Sequence, residues 1–325
     1  MTDITPQLHH GQRLFGPVQS RRFGRSLGID LLPYKTCSLD CVYCECGSTT
    51  KLTANRERFF PIEEVLQELD AYLASSPQLD TLTFSGSGEP TLHRDIGVVI
   101  RHLKKHYPAY PVTVLTNGTL LGDPGVAQAL LAADVVSPSL DGATQRSFEA
   151  ICRPHSDVHV DEVIAGIASF ARQFSGHLLL EIFLVPGIND TPEELAALKA
   201  AAETIHPFAI QLNHLDRPGI AKDIGKPTPE RLDEIREALR PLPVQSVRKR
   251  SPAEWDRAAD NPLVPEIYDA LTSLGSATTR DLSLRLGVNE GDLAKLVRHL
   301  ASRGDLLESG DESAEHFRRP SISVS

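Results

Sequence analysis

No apolar run in this chain approaches the ~18 residues that a transmembrane helix needs. The richest, 178–186, holds Glu181 and stops at Pro186-Gly187. Residues 1–10 are polar and contain no hydrophobic stretch of signal-peptide type. These two absences predict a protein that meets no membrane and works in the cytoplasm, where thiols stay reduced. A basic excess is missing as well: 33 Lys and Arg face 43 Asp and Glu, for a net charge of −10. That excludes a surface built throughout to grip nucleic acid. No internal repeat is visible, and Gly86-Ser87-Gly88 lacks the third glycine of a dinucleotide-binding turn. Cysteine is scarce, with five in 325 residues, yet Cys37, Cys41, Cys44 and Cys46 fall within ten positions of one another. A secreted disulfide scaffold would be shorter and would spread its cysteines, so this crowding reads as a metal or redox site.

What is present is alternation. Apolar residues make up 41% and charged residues 23% of the chain, the balance of a folded globular protein. Short apolar runs at 27–32, 79–84, 112–116, 134–139, 178–185 and 208–213 read as strands. Segments of helical period lie between and after them, near 62–74, 95–106, 126–132, 160–174, 192–205 and 229–239. Pro61 and Pro192 suit first-turn positions, and Asp123 and Thr191 suit caps. Strand-helix alternation predicts an α/β fold with a parallel sheet and right-handed crossovers. Six units are fewer than the eight that close a TIM barrel, so an open, partial (β/α)6 barrel is expected.

Residues 1–25 read as an N-terminal extension, 26–240 as the partial barrel and 241–262 as a linker packing on it. The linker holds four prolines, the basic run Arg248-Lys249-Arg250 and the single Trp255. Three short helical patterns follow, at 263–274, 279–286 and 290–303, separated by Gly275-Ser276 and Gly287-Val288. With the apolar Leu306-Leu307 beyond them, they predict a small winged-helix domain over 263–310. Residues 311–325 read as a flexible tail.

Cys37-Ser-Leu-Asp-Cys41-Val-Tyr-Cys44 follows the first predicted strand, at the end of the strand where barrel active sites are built. Three thiolates spaced in this way suit three corners of an iron–sulfur cubane and leave the fourth iron open. Zinc is the competing metal, with Cys46 as the fourth thiol of a tetrahedral site. Three cysteines in eight residues of polar loop are not all core.

This spacing on the first strand-to-helix loop, with Tyr43 before the last cysteine, resembles the radical S-adenosylmethionine (SAM) superfamily. The resemblance implies one [4Fe–4S] cluster on Cys37, Cys41 and Cys44, with SAM chelating the open iron. Reductive cleavage of SAM would then give a 5′-deoxyadenosyl radical that abstracts hydrogen from a substrate. Ser85-Gly-Ser-Gly-Glu-Pro90 is similar to the superfamily's Gly-Gly-Glu-Pro motif, with Ser87 in place of the first glycine. It implies that Ser87, Gly88 and Glu89 meet the amino group of SAM. By position, Asn117, Ser139, Asp141 and Glu181 are the polar candidates for the rest of SAM, with Val185 and Ile188 beside the adenine. Gly16-Pro-Val-Gln-Ser-Arg-Arg-Phe-Gly24, Ser139-Leu-Asp-Gly142 and Gln211-Leu-Asn213 resemble the wyosine-synthase-like branch of the superfamily. Wyosine synthases hold a second cluster on upstream cysteines. This chain has no cysteine before Cys37, so a single cluster is implied.

Arg22, Arg153, His155, His214 and Arg217 are substrate candidates near predicted strand ends, where Arg can hold a phosphate or carboxylate. From residue 263 onward the chain carries seven basic and ten acidic side chains, which disfavours DNA binding by the small domain. Three functions stand at this point. One is a radical SAM enzyme acting on a small heterocycle, nucleobase or nucleoside. Another is a tRNA-modifying enzyme of the wyosine-synthase type. The last is a redox-responsive winged-helix regulator. The negative charge favours a small-molecule substrate over whole tRNA. The electron must come from an external donor of the flavodoxin or ferredoxin class.

Overall fold

The computed structural model describes residues 13–20, 22–215, 219–221, 224–246, 261, 263–302, 305–311 and 314–319. Arg217 of the substrate candidates, Arg21, the basic run 248–250, Trp255 and most of the expected linker lie outside the described residues. The chain divides into two compact units, one running to Pro243 and the other comprising residues 22–24 and Val244 onward.

The first unit opens with strands β1 (Leu14–Ser20) and β2 (Gly24–Ile29). Two-residue strands β3 (Thr36–Cys37) and β4 (Lys51–Leu52) follow and pair in parallel, closing the cysteine loop at its base. Next come α1 (Ile62–Leu73), β5 (Thr81–Phe84), α2 (Ile96–His106), β6 (Val112–Thr116), α3 (Pro124–Leu130) and β7 (Val135–Pro138). The unit continues with α4 (Gln145–Cys152), α5 (Val160–Ala171), β8 (His177–Phe183), α6 (Pro192–Ile205), β9 (Ala209–Asn213) and α7 (Pro229–Ala238). The sheet runs β1-β2-β5-β6-β7-β8-β9, and every pairing from β2 to β9 is parallel. This is the expected α/β architecture with its six-strand parallel core.

Alternation along each strand divides the sheet into two chemistries. Leu27, Leu82, Phe84, Val112, Val114 and Leu180 are fully buried on one face. Residues of opposite parity form the other face: Ser26 bonds Thr83 at 2.7 Å and Thr81 bonds Thr113 at 2.9 Å, with Ser137 and Gln211 further along. The helices start where the sequence places caps. The Asp123 carboxylate accepts from the N–H groups of Gly125 and Val126, and the Thr191 hydroxyl accepts from that of Glu194, each just ahead of a proline.

Three expectations need correction. Residues 1–25 are not all an extension, because Leu14–Ser20 is a strand of the sheet. Gly16 and Pro17 hide it in the sequence, but Pro is tolerated on a strand at a sheet edge. The Phe15 ring lies against Gly28, where a Cβ would stand 2.1 Å from its Cζ. The second correction is α4, an eight-residue helix with no place in the expected series. The third concerns the tail. Ala314–Arg318 forms a strand and Phe317 is completely buried.

The second unit holds β10 (Val244–Ser246), α8 (Leu263–Leu274), β11 (Ala277–Thr278), α9 (Thr279–Leu286), α10 (Glu290–Ser302), β12 (Leu307–Asp311) and β13 (Ala314–Arg318). β13 lies between β11 and β12, antiparallel to both. Thr278 and Asp281 form a reciprocal capping box at the start of α9, and Gly287 ends it in the left-handed conformation. Leu263, Ile267, Leu282, Leu293, Val297 and Phe317 form its core. No helix among the described residues is long and apolar enough to cross a membrane.

Candidate active site at the strand C-termini

The cysteine loop leaves β2 through Asp30, and its backbone is fastened from several sides. Thr49 N donates to Asp40 Oδ1 at 2.7 Å and Thr53 N to the Cys37 carbonyl at 2.9 Å. The segment ending α4 runs beside it: Asp40 N donates to Cys152 O, Val42 N to Ile151 O and His155 N to Ser38 O, each at 2.9 Å. Ala221 N also reaches Val42 O at 2.9 Å, and a side chain at Gly219 would collide with the Tyr43 carbonyl. Cys37, Cys41, Cys44 and Cys46 are all partly buried on this loop.

The loop after β5 is locked onto the cysteine loop. Glu89 N donates to the Thr36 carbonyl at 3.1 Å. A Cβ at Gly88 would lie 2.2 Å from that same oxygen, so only glycine permits the approach. Ser87 gives both its N–H and its hydroxyl to Asp30 Oδ2 at 2.9 Å. Gly86, at φ +141, leaves room for the Asp30 carboxyl, which a Cβ would meet at 2.3 Å. Glu89 is buried, and its carboxylate accepts from Thr91 N, the hydroxyls of Thr91 and Thr116, and Asn117 N. Burial raises its pKa against the pull of those hydrogen bonds. Glu89 therefore braces the ends of β5 and β6 together.

Asn117 extends that brace to the cysteines. Its amide donates to Ser38 Oγ at 2.9 Å and Cys37 Sγ at 3.5 Å, while its carbonyl oxygen accepts from Thr119 N and Oγ1. Burial, together with the charges of Glu89 and Cys41, pushes the Cys37 thiol up to about 12. Cys44 moves the other way, to about 5, through a hydrogen bond from Cys46 and a second from Lys35 Nζ at 3.0 Å.

On the far side, Asp141 gathers the β7 and β8 ends. Tyr43 Oη donates to its Oδ2 at 2.5 Å, Phe183 N to its Oδ1 at 2.8 Å, and Cys152 Sγ lies 3.9 Å from Oδ2. Burial raises Asp141 to about 7, and the charge of Glu181 adds to the rise. The Tyr43 ring stacks on Phe183 with centroids 3.8 Å apart. Fully buried Asn189 donates to the carbonyls of Asp141 and Phe183 and accepts from Val185 N, fixing the β8 turn. Ser139 N bonds the Thr116 carbonyl, and Ser139 bridges Glu181, whose Oε1 accepts from Asn213 at 2.9 Å. Val185 is buried, and Ile188 is half-buried in the turn.

The substrate candidates fare differently. The Arg153 guanidinium is committed to Asp40, through its carbonyl at 2.7 Å and its carboxylate at 3.2 Å. His155 faces Asp157 at 3.7 Å, and His214 Nδ1 lies 3.3 Å from Leu215 O. Arg22 lies over the Phe23 ring in the second unit. Residues missed in the sequence are Asp30, Lys35, Thr116 and Asn189. Asp30 is a single polar residue in an apolar stretch, Lys35 stands just ahead of the cysteine motif, and the partners of Asp30 and Thr116 lie far off in sequence, so no local pattern marks them.

The donor set suits an iron–sulfur cluster: three thiols on one clamped loop, with N–H donors aimed at two of the sulfurs. Among the described residues no group of three or more His, Cys, Asp and Glu side chains is arranged around a single metal ion.

Comparison with known proteins agrees with this geometry. The model of the family described as "Radical SAM superfamily" matches residues 31–199. A protein named GTPase Obg from Brachyspira hyodysenteriae is 39% identical over 62% of this chain, and the match spans only 29% of that protein. UPF0026 protein slr1464 from Synechocystis is 37% identical over 63% of this chain and 76% of its own length. A probable GTP 3′,8-cyclase from Pyrococcus horikoshii is 32% identical over 52% of this chain and 51% of that protein. Among solved structures, a radical SAM methyltransferase from Sphaerobacter thermophilus superposes with TM-score 0.53 at 17% identity, covering 68% of this chain and 65% of that one. At that identity the likeness concerns the fold alone.

Proposed function

The chain belongs to the radical SAM superfamily of enzymes, whose proteins bind a [4Fe–4S] cluster and SAM, and we propose that Cys37, Cys41 and Cys44 hold its cluster. The carrying observation is that the cysteine loop and the Gly88-Glu89-Pro90 loop are bonded to each other at the C-terminal ends of adjacent parallel strands. Held on Cys37, Cys41 and Cys44, such a cluster would supply the electron for reductive cleavage of SAM. The protein's own residues form the cradle. Glu89 and Asn117 fix the loop that faces Cys37, Gly88 brings backbone close, and Asp30 holds Ser87. Tyr43, Asp141 and Asn189 shape the opposite wall, where Ser139, Glu181, Val185 and Ile188 would line SAM.

The substrate is read as a small heterocycle, nucleobase or nucleoside. One face of the sheet carries hydroxyls and amides among its apolar side chains, which suits a ligand with hydrogen-bonding edges. The name of the cyclase relatives, which refers to GTP, supports the same class. The electron donor is a flavodoxin or ferredoxin, since no residue pattern for a bound flavin is present. We read the second unit as a winged helix serving packing, dimerisation or substrate selection rather than DNA binding, consistent with its acidic balance.

Comparing total tRNA nucleosides between a deletion strain and its parent tests the substrate. An unchanged profile is expected. A lost or altered guanosine derivative would overturn the small-molecule reading in favour of tRNA modification.

A further inference from the structure

Lys35 stands out among the titratable residues that the reading above does not use. Only 3% of its surface is exposed, and its ammonium donates to Cys44 Sγ at 3.0 Å. Among the described residues it forms no ion pair with a carboxylate, and the groups facing it are the sulfurs of Cys44, Cys37 and Cys46. An ammonium removed from water needs a negative partner close by. Here the cysteine loop itself supplies that partner.

The backbone points the same way. Lys35 has φ +56, a left-handed conformation that glycine adopts more easily than any residue with a Cβ. A long side chain is kept where the turn alone would favour none. The position is held firmly, because the Lys35 carbonyl accepts from Thr50 N at 3.0 Å and Lys51 N at 3.1 Å. The ammonium is thus aimed at one sulfur by a clamped turn.

We propose that Lys35 is a positioning residue whose fixed positive charge, held against Cys44, raises the potential at which the cluster accepts its electron. The inference rests on Cys44 being a cluster ligand. Hydrogen bonds to the sulfurs and net local charge are what set an iron–sulfur potential. Reduction adds one negative charge to the cluster, and a cation held against a ligand sulfur stabilises the reduced form more than the oxidised form. The electron comes from the low-potential one-electron donor, or from dithionite in vitro. One electron enters the cluster, and Lys35 neither gains nor loses a proton.

The test uses the full-length chain, reconstituted anaerobically with iron and sulfide, with the cluster's midpoint read by redox titration followed by electron paramagnetic resonance. Lys35→Met removes charge and hydrogen bond, Lys35→Gln removes charge alone, and Lys35→Arg keeps both. The wild type and Lys35→Arg are expected to titrate together. Lys35→Met should show a reduced-to-oxidised ratio about tenfold lower at a fixed poise, about 59 mV more negative for one electron. Lys35→Gln should shift in the same direction, and it carries the test if the Met variant fails to load. A loaded charge-free variant with the wild-type midpoint would overturn the role of Lys35 while leaving the cysteine assignment intact. A wild type that binds no cluster would overturn the cysteine assignment, and the role of Lys35 with it.

Discussion

A single methyl group on Gly88 would stand 2.2 Å from the Thr36 carbonyl oxygen, and that oxygen is also the acceptor for Glu89 N. Gly88→Ala must therefore push apart the two loops that form the cradle. We expect the variant to lose about 2–4 kcal/mol in chemical denaturation and to bind less iron per chain, because overpacking against backbone cannot relax through a side chain. Asp141 makes a second prediction at this scale. Its pKa in the fold is about 7 against 3.8 for the free side chain, so the native state prefers the protonated form. The stability it contributes is complete below about pH 4 and is lost as the pH rises through 7. The unfolding free energy of the cluster-free protein should thus fall by a few kcal/mol as pH rises over that window, and Asp141→Asn should flatten the profile. An unchanged profile in the variant would show that Asp141 is not the group responsible.

At the scale of elements, α4 matters beyond its eight residues. The buried Glu194 carboxylate on α6 accepts from Ala143 N, Thr144 N, Thr144 Oγ1 and Ser147 Oγ, so it anchors the turn that leads into α4 and the cap residue Thr144. The far end of α4 delivers Ile151 and Cys152 to the cysteine loop. Glu194→Ala leaves those donors unsatisfied and should cost about 2–4 kcal/mol. It should also lower iron loading, although Glu194 lies in neither cysteine-loop nor Gly88-loop sequence; normal loading with reduced stability would limit α4 to a packing role. The sequence shows why such elements were harder to read. The parallel strands β5 to β9 stand out because short runs rich in apolar and β-branched residues are set off from the helical segments by turn residues. α4 was hidden because it is short and because the carboxylate that holds its cap residue Thr144 in place, Glu194, lies some fifty positions away. β1 was hidden by Pro17, and β13 because Phe317 is the only large apolar residue in its run. The cysteines and Gly88-Glu89-Pro90 were legible because their chemistry is written in spacing. Asp30, Lys35 and Asn189 act through tertiary hydrogen bonds, which leave no spacing to read.

For the whole molecule, the chain divides into a larger unit and a smaller unit of helices with a short antiparallel sheet. Phe317 closes the core of the smaller unit, so Phe317→Ala should cost about 3–5 kcal/mol there. Hydrogen exchange over α8 and α10 should report that loss, and protection equal to the wild type would contradict the placement of β13 in the core. The central claim concerns the larger unit: that Cys37, Cys41 and Cys44 hold a cluster which delivers one electron to SAM. The most direct test is anaerobic incubation of the reconstituted full-length chain with dithionite and SAM, beside a Cys41→Ala control. The account predicts 5′-deoxyadenosine and methionine from the wild type and neither from the control. Equal amounts from both, or none from a wild type carrying its full complement of iron and sulfide, would contradict it.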